Sequence, residues 1–175
     1  RSHEVGHTLG FAHNFAASAY GMVSVMDYPH PQLSLVNGAI DFSKAYETGI
    51  GLWDKISVAY SYGDIPKERD QNEFLKDVLD KAFSGHLLFI TDTDARATSG
   101  SHAQAHLWDN GSNAAAGLEQ IMAVRKVAIN QFSLKQIPNG TSHSVLEDVF
   151  VPIYYLHRYQ TEAAVKRSEE HTSEL

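Results

Sequence analysis

The sequence contains no cysteine, and this absence removes two kinds of site at once. Without cysteine the chain can form neither a disulfide nor a zinc site with thiolate ligands. The lack does not fix the cellular compartment, because many exported bacterial proteins also have no cysteine. Any structural or catalytic metal must therefore be held by histidine or by oxygen ligands.

Positive charge is also scarce, since 14 Lys and Arg residues stand against 21 Asp and Glu, for a formal net charge of −7. A chain with this charge repels a phosphate backbone, which argues against a nucleic-acid partner. No apolar run approaches the length of a membrane span, so none is expected. The 43% hydrophobic and 20% charged content over 175 residues is ordinary for a globular protein with one core, or one lobe with additions.

The residues that carry chemistry are concentrated in the opening stretch, RSHEVGHTLGFAHN, which fits H-E-x-x-H-x-x-G-x-x-H. His3 and His7 are four residues apart, so on a helix both rings project from one face and can bind one ion. Glu4 is placed to take a proton from water at that ion. Gly10 lets the chain leave the helix through a left-handed residue, so that His13 can supply a third nitrogen. Three protein nitrogens leave a tetrahedral position open, which is typical of catalytic zinc.

A second element, Ser24–Tyr28 (SVMDY), follows the third histidine closely. Met26 alone could be an ordinary filler of a core gap. In this place, however, the segment matches the S-x-M-x-Y turn of several metzincins. The chain therefore resembles the metzincin metallopeptidases, and more specifically a bacterial family of large secreted or periplasmic zinc proteases. The segments WDNG at 108–111 and VPIYYLHRY at 151–159 resemble the same family.

The resemblance implies a zinc-dependent endopeptidase that uses one Zn²⁺, acts on a protein or peptide substrate, and is periplasmic or extracellular. It also implies a role for seven residues. These are His3, His7 and His13 as zinc ligands, Glu4 as general base, Tyr28 as a metal neighbour or oxyanion stabiliser, and Gly10 and Met26 as structural supports of the site.

The fold class implied is mainly α: the C-terminal part of a metzincin-type domain without its N-terminal sheet, followed by a helical region. We expect residues 1–31 to form the zinc-site helix, third-ligand loop and methionine turn, and residues 32–166 to form a mainly helical subdomain. Residues 167–175 (RSEEHTSEL) read like the translation of a sequencing-adapter oligonucleotide, so we expect them to be non-native. Because the first ligand stands at position three, we expect the active-site helix to be cut near its start and the isolated chain to be inactive.

Apolar periodicity and turn residues predict the remaining elements. A loop or short strand with an Asn37-Gly38 turn is expected over Leu33–Phe42, and a buried strand or extended segment over Leu87–Ile90. The loop after it is expected to extend from Thr91 to Asn113. Helices are predicted from about Tyr46 to Gly63, from Pro66 to Phe83, from Asn113 to Phe132, and from Ser142 to Lys166, the last kinked or split by Pro152.

Three weaker candidate sites lie outside the opening pattern. Asp92 and Asp94 alternate as in a Ca²⁺ loop, but the required glycine and distal glutamate are absent, so Ca²⁺ is a minor alternative. His102 and His106 lie four residues apart with no third ligand, which favours an ordinary loop pair over a second zinc site. His30, between two prolines, is expected to face solvent rather than substrate.

The main alternative to a peptidase is a non-catalytic metal-binding or structural interaction module. The intact Glu4 favours the peptidase, because a module that only binds metal has no need of a base at that position. The sequence gives no indication of the oligomeric state or of the substrate preference.

Overall fold

The computed structural model describes residues 2–95, 100 and 102–173, with side chains described as far as Arg167. Over these residues the fold is mainly α-helical with one two-stranded sheet, which confirms the predicted class. No helix in the described residues is long and apolar enough to cross a membrane. The elements are α1 (Ser2–Thr8), β1 (Ser34–Val36), β2 (Ala39–Asp41), α2 (Leu52–Tyr62), α3 (Gln71–Ser84), α4 (Asp92–Ala95), α5 (Ala114–Gln131), α6 (Val145–Tyr154) and α7 (Arg158–Ser173), with short 3-10 helices at Ala17–Tyr20 and Leu134–Gln136.

The predicted Asn-Gly turn joins β1 and β2 in an antiparallel hairpin. Asn37 and Gly38 both have positive φ, at 52° and 79°, as a two-residue type I′ turn requires. Val36 therefore pairs with Ala39 directly across the turn. The hairpin packs against α5 rather than extending into a larger sheet.

Two of the predicted helices begin later than the periodicity indicates. α2 begins at Leu52 because Gly51 comes so close to the methionine turn that an added Cβ would lie 1.9 Å from the carbonyl oxygen of Val23. α3 begins at Gln71 because the carboxylate of Asp70 caps its first turn, accepting from the backbone N–H groups of Asn72 and Glu73. The stretch after Pro66 is a turn and not the opening of the helix.

The strand expected over Leu87–Ile90 does not form: the segment has no regular secondary structure and pairs with no strand among the described residues. Its carbonyls are used instead by the third-ligand loop: Ile90 accepts from the N–H of Phe15 at 2.8 Å, and Leu88 from the side-chain amide of Asn14 at 2.9 Å. The loop predicted over Thr91–Asn113 is wrong at Asp92–Ala95, where α4 forms, and its residues 96–99 and 101 lie outside the described residues.

The C-terminal half follows the predicted helix pattern closely. Asn113 caps α5, accepting from the N–H groups of Ala115 and Ala116. The predicted final helix is divided into α6 and α7, as expected from a proline within it, although the break comes after Tyr154, two residues beyond Pro152. α5 packs against α6 and α7.

Two small apolar clusters of buried residues join distant parts of the chain. One is formed by Phe15, Ala95 and Ala105, and the other by Trp53, Ala82 and Leu87. Phe15 is only two residues past His13, so the first cluster joins the third-ligand loop to α4 and the loop at 102–107. The second places α2 and α3 beneath the methionine turn.

The carboxylate of Asp54 fixes α2 to the methionine turn. Asp54 is buried and accepts hydrogen bonds from Ser24 Oγ (2.6 Å), the Val25 N–H (2.9 Å) and the Gly51 N–H (2.6 Å). The helix after the methionine turn therefore packs under it, as expected.

We expect Asp54→Ala to lower the free energy of unfolding by about 3 kcal/mol, because it leaves three donors without their acceptor in a buried place. Urea unfolding measures the change, with the exposed Asp64→Ala as the matched control, which should change little. A loss for Asp54→Ala no larger than that of the control would contradict this role.

Candidate metal centre

The opening pattern brings three imidazoles to one point. His3 and His7 lie on the same face of α1, and their Nε2 atoms are 3.1 Å apart. Gly10 has a φ of +88°, in the left-handed region, and the turn there returns the chain so that His13 places its Nε2 3.1 Å from that of His7. Among the described residues, this is the only group of three or more metal-ligand side chains whose ligand atoms all lie within 4.8 Å of one another.

Each of these imidazoles has its other nitrogen held by an oxygen. The Nδ1 of His3 lies 2.7 Å from the Val25 carbonyl, that of His7 lies 2.9 Å from the Phe11 carbonyl, and that of His13 lies 2.8 Å from a carboxylate oxygen of Asp92. Because a carbonyl or carboxylate can only accept, each Nδ1 must carry the proton. With the proton on Nδ1, each ring turns its Nε2 to the shared point, where a neutral imidazole offers a lone pair.

This donor set fits a divalent metal ion. Three lone pairs at this spacing repel one another unless a cation lies between them. Ligand nitrogens about 2.0–2.1 Å from a tetrahedral zinc would be roughly 3.3 Å apart, close to the observed separations. Imidazole nitrogen is also a ligand that Zn²⁺ prefers, and no thiolate competes for it.

The methionine turn packs directly beneath α1. Met26 is 3% exposed, and a Cβ added at Gly6 would lie 2.2 Å from the Met26 sulfur. Gly6 is thus required between the two histidines of the helix, because no side chain fits there over the thioether. The carbonyl of Met26 also accepts from the N–H of Asn14, next to the third histidine.

The ring of Tyr28 lies against two of the three imidazoles, with centroids 4.5 Å from His3 and 5.1 Å from His13. Trp108 packs on Tyr28, with ring centroids 5.6 Å apart. The backbone N–H of Trp108 also donates to the backbone carbonyl of Tyr28 at 2.9 Å. Trp108 has a φ of +61°, which is unusual for a bulky residue and is typical of functional sites. Glu4 is exposed on α1 next to the first histidine. Its role, like that of Tyr28, stays a prediction.

The weaker candidates form no second centre in the described residues. Asp92 is the hydrogen-bond partner of His13, and nothing supports a Ca²⁺ site at Asp92 and Asp94. His102 accepts from the N–H of Gln104, while His106 lies 3.5 Å from a carboxylate oxygen of Glu162. The expectation that His30 faces solvent is wrong. The residue is partly buried, and burial lowers the pKa of its imidazole.

Two buried acids that the sequence-based site does not include are Asp27, within the methionine turn, and Asp109. Asp27 accepts from the N–H groups of Ser18 (2.8 Å) and Tyr28 (2.6 Å), and Asp109 accepts from the Ser18 hydroxyl at 3.1 Å. Burial raises the pKa of Asp27 to about 7, although these donors lower it in part. Burial, followed by the charge of Asp27, raises the pKa of Asp109 to about 7.

Sequence spacing gave little sign of these supporting residues. Asp92 is 79 positions from His13, and Asp109 is 91 positions from Ser18. The one available signal is local: Asp27 and Asp109 each lie inside a segment that resembles metzincins, SVMDY at 24–28 and WDNG at 108–111. Gly6 lies inside the histidine pattern, but at a position that the pattern leaves free.

Comparison with known proteins decides the family. A sequence model of the Met-zincin family matches residues 1–167, nearly the whole chain. The chain belongs to the Met-zincin family. No curated protein and no solved structure matches it. Membership confirms the resemblance to metzincin metalloproteases and implies zinc as the metal of the three-histidine centre. The match ends at residue 167, while the division into residues 1–31, 32–166 and 167–175 stays a prediction.

In this Met-zincin we expect Asp92→Ala to weaken zinc binding about 10–100-fold, as is typical when the partner of a ligating histidine is removed. Asp92→Asn, which keeps an acceptor without its charge, should weaken it less. Competition with a chromophoric chelator measures the affinity, and Asp94→Ala is the control for loss of a nearby charge. Equal affinities for Asp92→Ala and Asp94→Ala would contradict the role of Asp92.

We also expect the stability of this Met-zincin to fall as pH rises from about 4 through about 7. The pKa values of Asp27 and Asp109 are raised from 3.8 in the unfolded chain to about 7 in the fold. The folded state therefore binds more protons than the unfolded state across this window, and it loses that advantage as the pH rises.

Urea unfolding of the metal-free protein at pH 5.5, 7.0 and 8.5 tests this pH dependence. Asp109→Asn should flatten the decline relative to wild type, whereas the exposed Asp148→Asn should leave it unchanged. A wild-type stability that rises over this range, or a decline that Asp109→Asn leaves intact, would refute the assignment.

Proposed function

We propose that the protein is a zinc-dependent endopeptidase that hydrolyses peptide bonds with Glu4 as its general base. The observation that carries the proposal is the convergence of three Nε2 lone pairs whose Nδ1 atoms are each hydrogen-bonded to oxygen. Membership of the Met-zincin family supports a metalloprotease-type function.

His3, His7 and His13 would hold the ion. A bound Zn²⁺ supplies Lewis acidity that makes water nucleophilic at neutral pH and polarises the scissile carbonyl. With three ligands from the protein, the coordination sphere keeps a position for water or substrate. The chain's own contribution is to hold the three rings rigidly in one tautomer, so that binding the metal requires no rearrangement.

Glu4 is proposed to take the proton from the attacking water and to deliver it to the leaving amine. Its place supports this: it adjoins a ligand on α1 and is exposed, so its carboxylate is not committed to the core. Tyr28 is proposed to stabilise the developing oxyanion or to contact the metal. Support for this comes from its ring, which packs on His3 and His13.

The substrate class proposed is a protein or peptide, and the proposed location is the periplasm or the extracellular space. The family resemblance supports both. The non-catalytic metal-binding module is the alternative that the experiment below separates from the peptidase.

We expect Glu4→Gln to keep zinc affinity near that of wild type and to lower turnover of a peptide substrate by about 10²–10⁴-fold, the usual contribution of a general base. The activity assay uses the protein as its gene encodes it, so that any segment before Arg1 is included. Glu119→Gln, an exposed acid on α5, is the matched control and should keep full activity.

Two results would contradict the proposal. Hydrolysis by Glu4→Gln at the wild-type rate would remove Glu4 from the mechanism. Tight zinc binding by the wild type with no hydrolysis of any peptide library would favour the non-catalytic module.

A further inference from the structure

The ammonium group of Lys166, on α7, donates hydrogen bonds to three backbone carbonyls. Its Nζ lies 3.2 Å from the carbonyl oxygen of Asp94, 3.4 Å from that of Ala95 and 3.0 Å from that of Ala105. An ammonium group has three donors, so these three acceptors can satisfy it fully. A lysine on the last described helix thus joins two separate parts of the chain.

The acceptors are groups that need such a partner. Asp94 and Ala95 are the last residues of α4, and the terminal carbonyls of a helix have no partner within it. Ala95 and Ala105 are 3% and 1% exposed, whereas Asp94 is exposed, so the contact passes from the surface to the buried alanines. Burial lowers the pKa of Lys166, and the carboxylates of Asp109 and Asp94 raise it.

The other end of α4 is part of the metal centre. Its first residue, Asp92, accepts the hydrogen bond from His13 Nδ1. Asp92 and Ala95 are three positions apart, which is roughly 4.5 Å of helical rise. The contacts are therefore continuous from Lys166, through the single turn of α4, to the ring that supplies the third ligand nitrogen.

We propose that Lys166 is a positioning residue of the metal centre, which holds α4 so that the Asp92 carboxylate stays against His13 Nδ1. A four-residue helix cannot hold itself in place, since so short a helix is unstable alone. Its apolar contact with Phe15 fixes one side, and Lys166 fixes its carbonyl end. The inference rests on the three-histidine metal site and not on peptidase activity.

Zinc affinity, measured by chelator competition in the full protein, tests the inference. Lys166→Met keeps the aliphatic stem and removes the donors, and it should weaken zinc binding about threefold to tenfold, below the effect expected for a direct partner of a ligand. Lys166→Arg should recover most of the loss, because it keeps both charge and donors. Lys126→Met, on the exposed face of α5, should bind as wild type does.

A double-mutant cycle separates positioning from general stability. If Lys166 acts through Asp92, then Lys166→Met should cause no further loss of zinc affinity in an Asp92→Ala background. In the metal-free protein, the nitrogen chemical shifts of His13 should also move in Lys166→Met, whereas those of the exposed His143, outside the site, should not. Should Lys166→Met fail to fold, Lys166→Gln replaces it throughout.

Wild-type zinc affinity in a folded Lys166→Met variant, or losses that add in the double variant, would overturn the inference. A wild-type protein that binds no zinc would overturn the metal centre and this inference with it. Zinc binding without hydrolysis would count only against the peptidase proposal.

Discussion

Three hydrogen bonds on the far side of the candidate metal-ligand imidazoles are the constraint on which the site depends. The Nδ1 atoms of His3, His7 and His13 donate to the Val25 carbonyl, the Phe11 carbonyl and the Asp92 carboxylate. These bonds choose the tautomer and the orientation of each ring, so that all three Nε2 lone pairs face one point. Without them, the same histidines would be three rotatable side chains with no common direction.

The rest of the structure serves mainly to hold those acceptors. The Val25 carbonyl belongs to the methionine turn, which Asp54 fixes to α2 through three hydrogen bonds. The Phe11 carbonyl follows the left-handed turn at Gly10. Asp92 opens α4, whose far end contacts α7. Helices from distant parts of the chain thus support a centre whose three candidate ligands all lie within its first thirteen residues.

The part of the site that the sequence predicts is the part encoded by short spacings. The four-residue separation of His3 and His7, the glycine at position 10 and the hairpin at Asn37-Gly38 each follow from local backbone geometry, and the structure has them as expected. Family membership confirms the metzincin resemblance drawn from the histidine pattern and the methionine turn. The helix starts were placed too early because periodicity does not register close backbone contacts such as that of Gly51 with Val23.

What the sequence could not predict was the support that comes from distant positions. From the sequence, Asp92 is a candidate Ca²⁺ ligand, because an acidic residue in a loop carries no mark of the histidine that it contacts 79 positions away. The sequence predicts that His30 faces solvent, because it carries no mark of Asn110, which lies 80 positions later and donates to the His30 carbonyl. The pairing of Asp27 and Asp109 through Ser18 has the same origin. Contacts of this kind depend on how the helices pack, which local patterns do not encode.

The central claim is that three imidazoles from the opening segment bind one zinc ion and leave a position for water or substrate. X-ray absorption spectroscopy at the zinc edge, on the protein loaded with one equivalent of zinc, tests it most directly. We expect three imidazole nitrogens at about 2.0–2.1 Å from the zinc, together with one oxygen ligand from water. A spectrum with fewer than three imidazoles, or with four ligands from protein side chains, would contradict it.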